Sequence, residues 1–243
     1  MTRERLPVLL VGLLLLCGCG GERDPVVEMQ KSLASAPAYM IVLDDMREEG
    51  TLFTSYYHRY LITQGEKKVQ SDWIEVSESI YRKYEPFLGM ALVAKSEQDG
   101  VNNTPHPPGY HYVGNPSYGR WTDRGGTSFW EFYGQYALMS HLLGWGGGFG
   151  MSRYDYDDYR SYRRDQRPYY GRNREYGTQG SVTQRQKPST FQRRQANIAQ
   201  KRQSFTQKVQ SRASQSRTGF GSSRSTSRSR SGFGSRSFGG FGK

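Results

Sequence analysis

The chain has 243 residues, of which 35% are apolar and 23% charged, with a formal net charge of +12. Its two cysteines, Cys17 and Cys19, both lie near the start, which leaves no disulfide framework to staple a small domain. The charge is divided: residues 19–150 carry 11 Lys/Arg against 16 Asp/Glu, and residues 151–243 carry 21 against 5. Most apolar residues precede residue 150, so one small core is expected in the front half and an interaction tail behind it.

Residues 1–18 open with Arg3 and Arg5 and continue as an apolar run from Leu6 to Leu16. The run falls short of the ~20 apolar residues a spanning helix needs. Its length and flanks predict a secretory signal peptide. The run closes on Leu16-Cys17-Gly18-Cys19, which resembles the lipobox of bacterial lipoproteins. That resemblance implies cleavage before Cys19 and a diacylglycerol on its sulfur, with the lipid bilayer as the first partner. Gly20, rather than an aspartate, follows the cysteine, which in this family implies the outer membrane where the cell has one. Two acyl chains already give stable anchoring. An uncleaved anchor, or an ordinary signal with a chance cysteine, is the plainer alternative.

Residues 19–36 form the anchor and tether, in which Asp24-Pro25 fits an N-cap followed by proline at the first helical position. Val26, Met29 and Leu33 extend this into a helix over 25–34. Residues 37–127 read as a small α+β domain. Tyr39–Leu43 is a compact strand expected to end at Asp44 and Asp45. Leu52–Thr63, rich in β-branched and aromatic residues, is a second strand punctuated by Gly50 and Gly65. Trp73–Val76 and a short helix over Ser77–Tyr84 follow, stopped by Pro86, and Leu88–Ala94 is a further strand. The β-β-α-β pattern predicts a small antiparallel sheet with one or two packed helices. Some 60 residues is near the lower limit for independent folding, so the domain should recruit the next segment or a partner.

Residues 97–127 hold too many turn formers for regular structure, and Tyr110, Tyr112, Tyr118 and Trp121 are expected to pack down from loops. Residues 128–150 begin Ser128-Phe129-Trp130 and bear no formal charge from Phe132 to Met151. Phe129, Phe132, Tyr133, Tyr136, Met139, Leu142 and Leu143 make a helical stripe, either a core helix or an interfacial one. Gly146, Gly147 and Gly148 break it.

Residues 151–243 read as a disordered tail, first Tyr/Arg-rich and then Arg/Ser/Gly-rich, because low hydrophobicity with high charge does not offset the cost of ordering the backbone. Within it, Ser189–Gln192 fits a capping box. Phe191, Ile198, Phe205 and Val209 then form a narrow apolar stripe on a basic segment, either an amphipathic helix or a solvated stretch.

Catalytic motifs are not evident: no phosphate-binding glycine loop, nucleophile elbow or metal-ligand cluster stands out. Asp44-Asp45 and Glu48-Glu49 pair carboxylates but read as solvated surface. His106 and His111 read as ordinary loop histidines, and His58 and His141 as core or interface residues. No cofactor, no metal and no catalytic residue is expected. The basic tail carries the chemistry: fourteen Lys/Arg and no acid follow Glu175. Arg193, Arg194, Lys201, Arg202, Lys208, Arg212, Arg217, Arg224, Arg228, Arg230 and Arg236 are the candidate polyanion-binding residues, since guanidinium pairs bidentately with phosphate and carboxylate. The Arg/Ser and Gly-Phe-Gly runs resemble those of RNA-binding proteins, but an export signal argues against nucleic acid as the partner. The overall arrangement resembles a group of bacterial lipoproteins of unassigned function, which implies no activity. The expected role is a membrane-anchored envelope lipoprotein, not an enzyme, whose tail engages an anionic envelope polymer or lipid, with an envelope protein as a further possible partner. The alternative is an exported nucleic-acid-binding protein using the Arg/Ser/Gly-Phe tail.

Overall fold

The computed structural model describes residues 23–50, 53–65, 67–134 and 151–218, with side chains as far as Arg212. Two units divide the chain, Met1–Asn197 and Ile198–Lys243. Cys17, Cys19, residues 135–150 of the helix expected over 128–150, with His141, and Arg224, Arg228, Arg230 and Arg236 lie outside the described residues.

The first unit is α+β and built on an antiparallel sheet. Its strands are β1 (Tyr39–Glu49), β2 (Ser55–Gln64), β3 (Lys67–Gln70), β4 (Ile74–Val76), β5 (Ala91–Ser96) and β6 (Gly100–Asn102). Their order is β3-β2-β1-β5-β6, with β4 also pairing with β2. β1 is the central strand and is buried on both faces. Tyr39, Ile41 and Leu43 point to one core cluster, and Met40 and Val42 to the other, as a side-chain period of two requires. The strand does not stop at the aspartates, as expected from sequence, but runs through them to Glu49.

The first cluster is covered by two capped helices. In α1 (Pro25–Ser32), the Asp24 carboxylate accepts from the Val26 amide at 3.0 Å. Its other oxygen takes Lys83 Nζ at 2.8 Å and the Tyr84 hydroxyl at 2.7 Å, so the cap ties α1 to α2 (Glu78–Tyr84). Burial raises the Asp24 pKa, but these donors outweigh it and hold the carboxyl below its usual range. Ile80, Tyr81 and Tyr84 of α2 then close over Ile41, Leu43, Tyr60 and Leu92. Each large side chain fully buried this way contributes about 1.5–3 kcal/mol.

The second face shows how the short β-β-α-β core is completed. Residues 103–118 cross it with Tyr110 and Tyr112 buried in a 3₁₀ turn. The hairpin β7 (Gly119–Arg124) and β8 (Thr127–Phe132) follows, so Ser128-Phe129-Trp130 sits on a strand, not on the expected helix. The Trp130 amide donates to the Met151 carbonyl at 2.8 Å, which returns the chain to the domain. Ser152 and Asp155 form a capping box that starts α3 (Arg153–Arg164). Tyr159, Tyr169 and Tyr176 are 2%, 1% and 5% exposed. Tyr110 meets all three, with ring centroids 5.5, 5.7 and 6.1 Å away. Residues 151–197 are thus part of the fold, which corrects the expectation of disorder from residue 151. The tyrosines supply the apolar area that the hydropathy of the segment lacks, since aromatic rings bury large surfaces and pair edge to face.

The chain then re-crosses the first face. The Thr178 amide donates to the Pro86 carbonyl at 3.1 Å, and Thr178 Oγ1 accepts from the Leu88 amide at 3.2 Å. A short helix, α4 (Ser181–Gln186), leads to α5 (Pro188–Thr218). Phe191, near the start of α5, packs on the α1/α2 cluster.

Candidate functional site

The sequence-adjacent carboxylates Asp44 and Asp45 are the electrostatic centre of the first unit, not solvated surface. They are 9% and 4% exposed. In a regular strand two neighbours point to opposite faces, but the register with β2 shifts between Leu43 and Asp45. This bulge gives β1 one extra residue and lets both carboxylates address the same set of cations. Arg59 of β2 bridges them, with Nε 3.2 Å from Asp44 and Nη2 3.3 Å from Asp45.

The remaining partners come from the C-terminal segment. Lys187 Nζ is 2.6 Å from Asp44, the Thr190 hydroxyl donates to Asp45 at 2.8 Å, and Arg193 Nη2 is 2.6 Å from Asp45. Gln70 of β3 donates to Asp44 at 2.6 Å. Burial works against the Asp44 charge, yet Lys187, Gln70 and Arg59 together hold its carboxyl below the usual range. Beside the cluster, Trp73 lies under three guanidinium groups, with Arg47, Arg59 and Arg193 at 4.3, 4.8 and 5.9 Å from its ring centre. The next residue, Arg194, reaches Glu85 through Nη2 at 2.7 Å, and one helical turn on the Asn197 side chain donates to the Glu48 carbonyl at 3.4 Å. Lys187 and the first turns of α5 are therefore clamped to the sheet by ion pairs from 143 to 148 residues away in sequence.

This geometry separates the candidate polyanion-binding residues. Arg193 and Arg194 are engaged inside the unit, which removes them from that set. Arg202, Lys208 and Arg212, with Lys201, stand on the second unit's part of α5, where every residue from Ile198 to Arg212 is exposed. The backbone of Arg217 is still in α5. Sequence alone did not distinguish the two groups, because both are Arg/Lys-rich stretches without acids. The distinguishing signal was in the front half, where Asp44, Asp45 and Glu85 needed partners.

The histidines are more deeply placed than loop residues. His106 and His111 are 0% and 1% exposed, with ring centres 6.1 Å apart. His106 Nδ1 lies 2.8 Å from the Thr104 carbonyl and His111 Nε2 3.1 Å from the Gly100 carbonyl, so these nitrogens carry the proton of the neutral ring. Burial, with the neighbouring His111, lowers the His106 pKa to about 3; burial, with Arg163, lowers His111 to about 4. His58 is likewise buried, 3.0 Å from the Tyr60 hydroxyl and stacked on Tyr81, and burial takes its pKa to about 4. These hydrogen bonds run to carbonyls and a phenol, a pattern of core packing. Among the described residues no group of three or more His, Cys, Asp or Glu is placed to hold a metal ion.

Outside the aromatic layer, the strip Val101–Pro105 and residues Arg163, Gln166 and Pro168 border a polar groove of about 530 Å³. Arg163 is committed there to Asp99, through its carboxylate at 3.6 Å and its carbonyl at 3.2 Å. Among the described residues no helix is long and apolar enough to cross a membrane. Comparison of the chain with protein-family models, with curated proteins and with solved structures gives no match.

Proposed function

We propose that this chain is a non-enzymatic lipoprotein of the bacterial cell envelope, held to the bilayer through acylated Cys19, whose basic C-terminal segment engages anionic envelope polymers or lipids. The observation that carries this reading is the sorting of cations from Lys187 along α5. Lys187, Arg193 and Arg194 neutralise the domain's own acids, whereas Arg202, Lys208 and Arg212 follow on an exposed stretch within a segment that contains no acid after Glu175. A helix that begins in an ion-paired clamp and continues as an acid-free basic surface suits a partner of opposite charge. The leader and the lipobox-like Leu16–Cys19 support the location.

The test is a salt titration of binding to a soluble polyphosphate by the mature chain, beginning at residue 19. Binding should weaken steeply with salt, because condensed counterions are released on contact. Replacing Lys201, Arg202, Lys208 and Arg212 together by Gln should flatten that dependence. Arg193→Gln with Arg194→Gln should leave it nearly unchanged while lowering stability. Tight binding to one nucleic-acid sequence that survives high salt would overturn the reading.

A further inference from the structure

We infer that the Ile198–Arg212 stretch of α5 is a bilayer-surface helix, and that its partner is an anionic lipid leaflet. This rests on the preceding reading and narrows it from polyanions in general to lipid. The argument starts with three exposed apolar side chains. Ile198, Phe205 and Val209 are 50%, 68% and 48% exposed. At about 100° per residue, their spacings of seven and four place them within roughly 40° of arc. Phe191, seven residues earlier on the same line, is half-buried against the domain core. From Ile198 onward the stripe continues without that cover.

The cations complete the pattern. Arg202 lies to one side of the stripe, and Lys201, Arg212 and Lys208 to the other, all within roughly 80° of it. The opposite face is uncharged: Gln200, Gln203, Ser204, Gln207 and Ser211. A helix selected only for solubility, or for a soluble polyanion, has no use for exposed Ile, Phe and Val at the centre of its basic face. A lipid interface uses both. The apolar side chains enter the acyl boundary while the Lys and Arg stems lie along it and lift their charges to the headgroups.

A second copy of the helix is the competing occupant, and the charge pattern disfavours it. A two-helix seam needs apolar residues three or four positions after each stripe residue. Phe205 has a large one, Val209, four residues on, but Ile198 is followed at three and four by Lys201 and Arg202, so pairing would bring like charges together at that turn. The inferred anchor adds a geometric reason. Cys19 is five residues before Asp24, and an extended chain of that length spans about 18 Å. The acylated protein therefore works next to a bilayer surface throughout its life.

The experiment uses the mature chain with Cys19→Ser, so that the acyl group does not dominate binding. Its probes are phosphatidylcholine vesicles with and without phosphatidylglycerol, and soluble polyphosphate. Sedimentation with the anionic vesicles should exceed that with pure phosphatidylcholine by about tenfold or more in affinity. Ile198→Gln, Phe205→Gln and Val209→Gln together should cost about tenfold on anionic vesicles and leave polyphosphate binding unchanged. These residues are exposed and glutamine is a good helix former, so the folded unit should be unaffected. Phe205→Trp should shift its emission to the blue on those vesicles only. Vesicle binding unchanged by the triple substitution, or polyphosphate binding without vesicle binding, would overturn the lipid inference and leave the polyanion reading standing. Binding to neither probe would end both.

Discussion

Asp45 illustrates how one side chain can decide where a domain ends. Its carboxylate, 4% exposed, accepts from Arg59, Thr190 and Arg193 at once. Asp45→Ala leaves the Arg193 guanidinium and the Thr190 hydroxyl without this acceptor and Arg59 with Asp44 alone. Breaking a buried pair costs about 3–5 kcal/mol. Because Arg193 is 45% exposed and can turn to water, about 2 kcal/mol is the expected loss, read as a lower urea midpoint. An unchanged midpoint would show that the pair contributes nothing. The buried histidines give a second expectation. In the unfolded chain they titrate near pH 6.5, while in the fold they stay neutral down to about 4, 3 and 4 for His58, His106 and His111. Between those limits the unfolded state binds protons that the folded state refuses, so stability is full above about pH 6.5 and falls as pH drops. The slope can reach about 1.4 kcal/mol per pH unit for each histidine. Urea midpoints at pH 7 and pH 5 should differ accordingly, and His106→Gln with His111→Gln should flatten the difference. Equal midpoints at the two pH values would show that these rings are not held neutral. The lowered carboxyls of Asp24 and Asp44 act in a separate window below about pH 4.

At the scale of elements, the aromatic layer depends on close approach. Gly114 has φ +86°, and a Cβ there would sit 2.4 Å from the Tyr156 hydroxyl of α3. Gly114→Ala should therefore cost about 1–3 kcal/mol through backbone strain alone, with further loss if Tyr156 is displaced. Limited trypsin digestion tests the extent of the fold. Cleavage at Lys201 and Arg202 should precede cleavage at Arg160, Arg163, Arg164 and Arg185, leaving a protected fragment that reaches into α5. A stable fragment ending before Arg153 would show instead that the domain stops where the composition changes. Much of the sheet was legible in the sequence. The Asp24-Pro25 cap, the Tyr39–Leu43 run and the Ser77–Tyr84 helix sit in the elements expected, and of the Leu52–Thr63 strand the part from Ser55 does. The α3 layer was missed because its buried residues are tyrosines between charges, which score as polar although their rings pack like core. Ser152 and Asp155 carried a capping signal at the right spacing, three apart, and that was the available clue. The strand character of Ser128–Phe132 was missed because its aromatic run fits helical and strand periods equally. The β1 bulge has no signature in sequence, so the clamp formed by Asp44 and Asp45 could not be read from it.

For the whole molecule, the folded unit and the basic segment divide the work. Asp44, Asp45 and Glu85 of the front half pair with the cations of residues 187–194, and no acid follows Glu175 in the sequence. The proposed partner then depends on where the protein resides. A domain held by the proposed anchor within about 18 Å of a bilayer would encounter anionic headgroups far more often than any dilute polymer, because a stable anchor holds the helix at high effective concentration over the leaflet. Loss of the anchor should therefore reduce membrane association more than loss of any single cation on α5. The most direct measurement is labelled-palmitate incorporation combined with membrane fractionation, comparing the wild type with Cys17→Ala and Cys19→Ala. The wild type and Cys17→Ala should incorporate label and sediment with membranes, while Cys19→Ala should carry no label and leave the membrane fraction or remain unprocessed. Equal labelling of wild type and Cys19→Ala would contradict the lipoprotein reading and, with it, the site of action proposed for the helix.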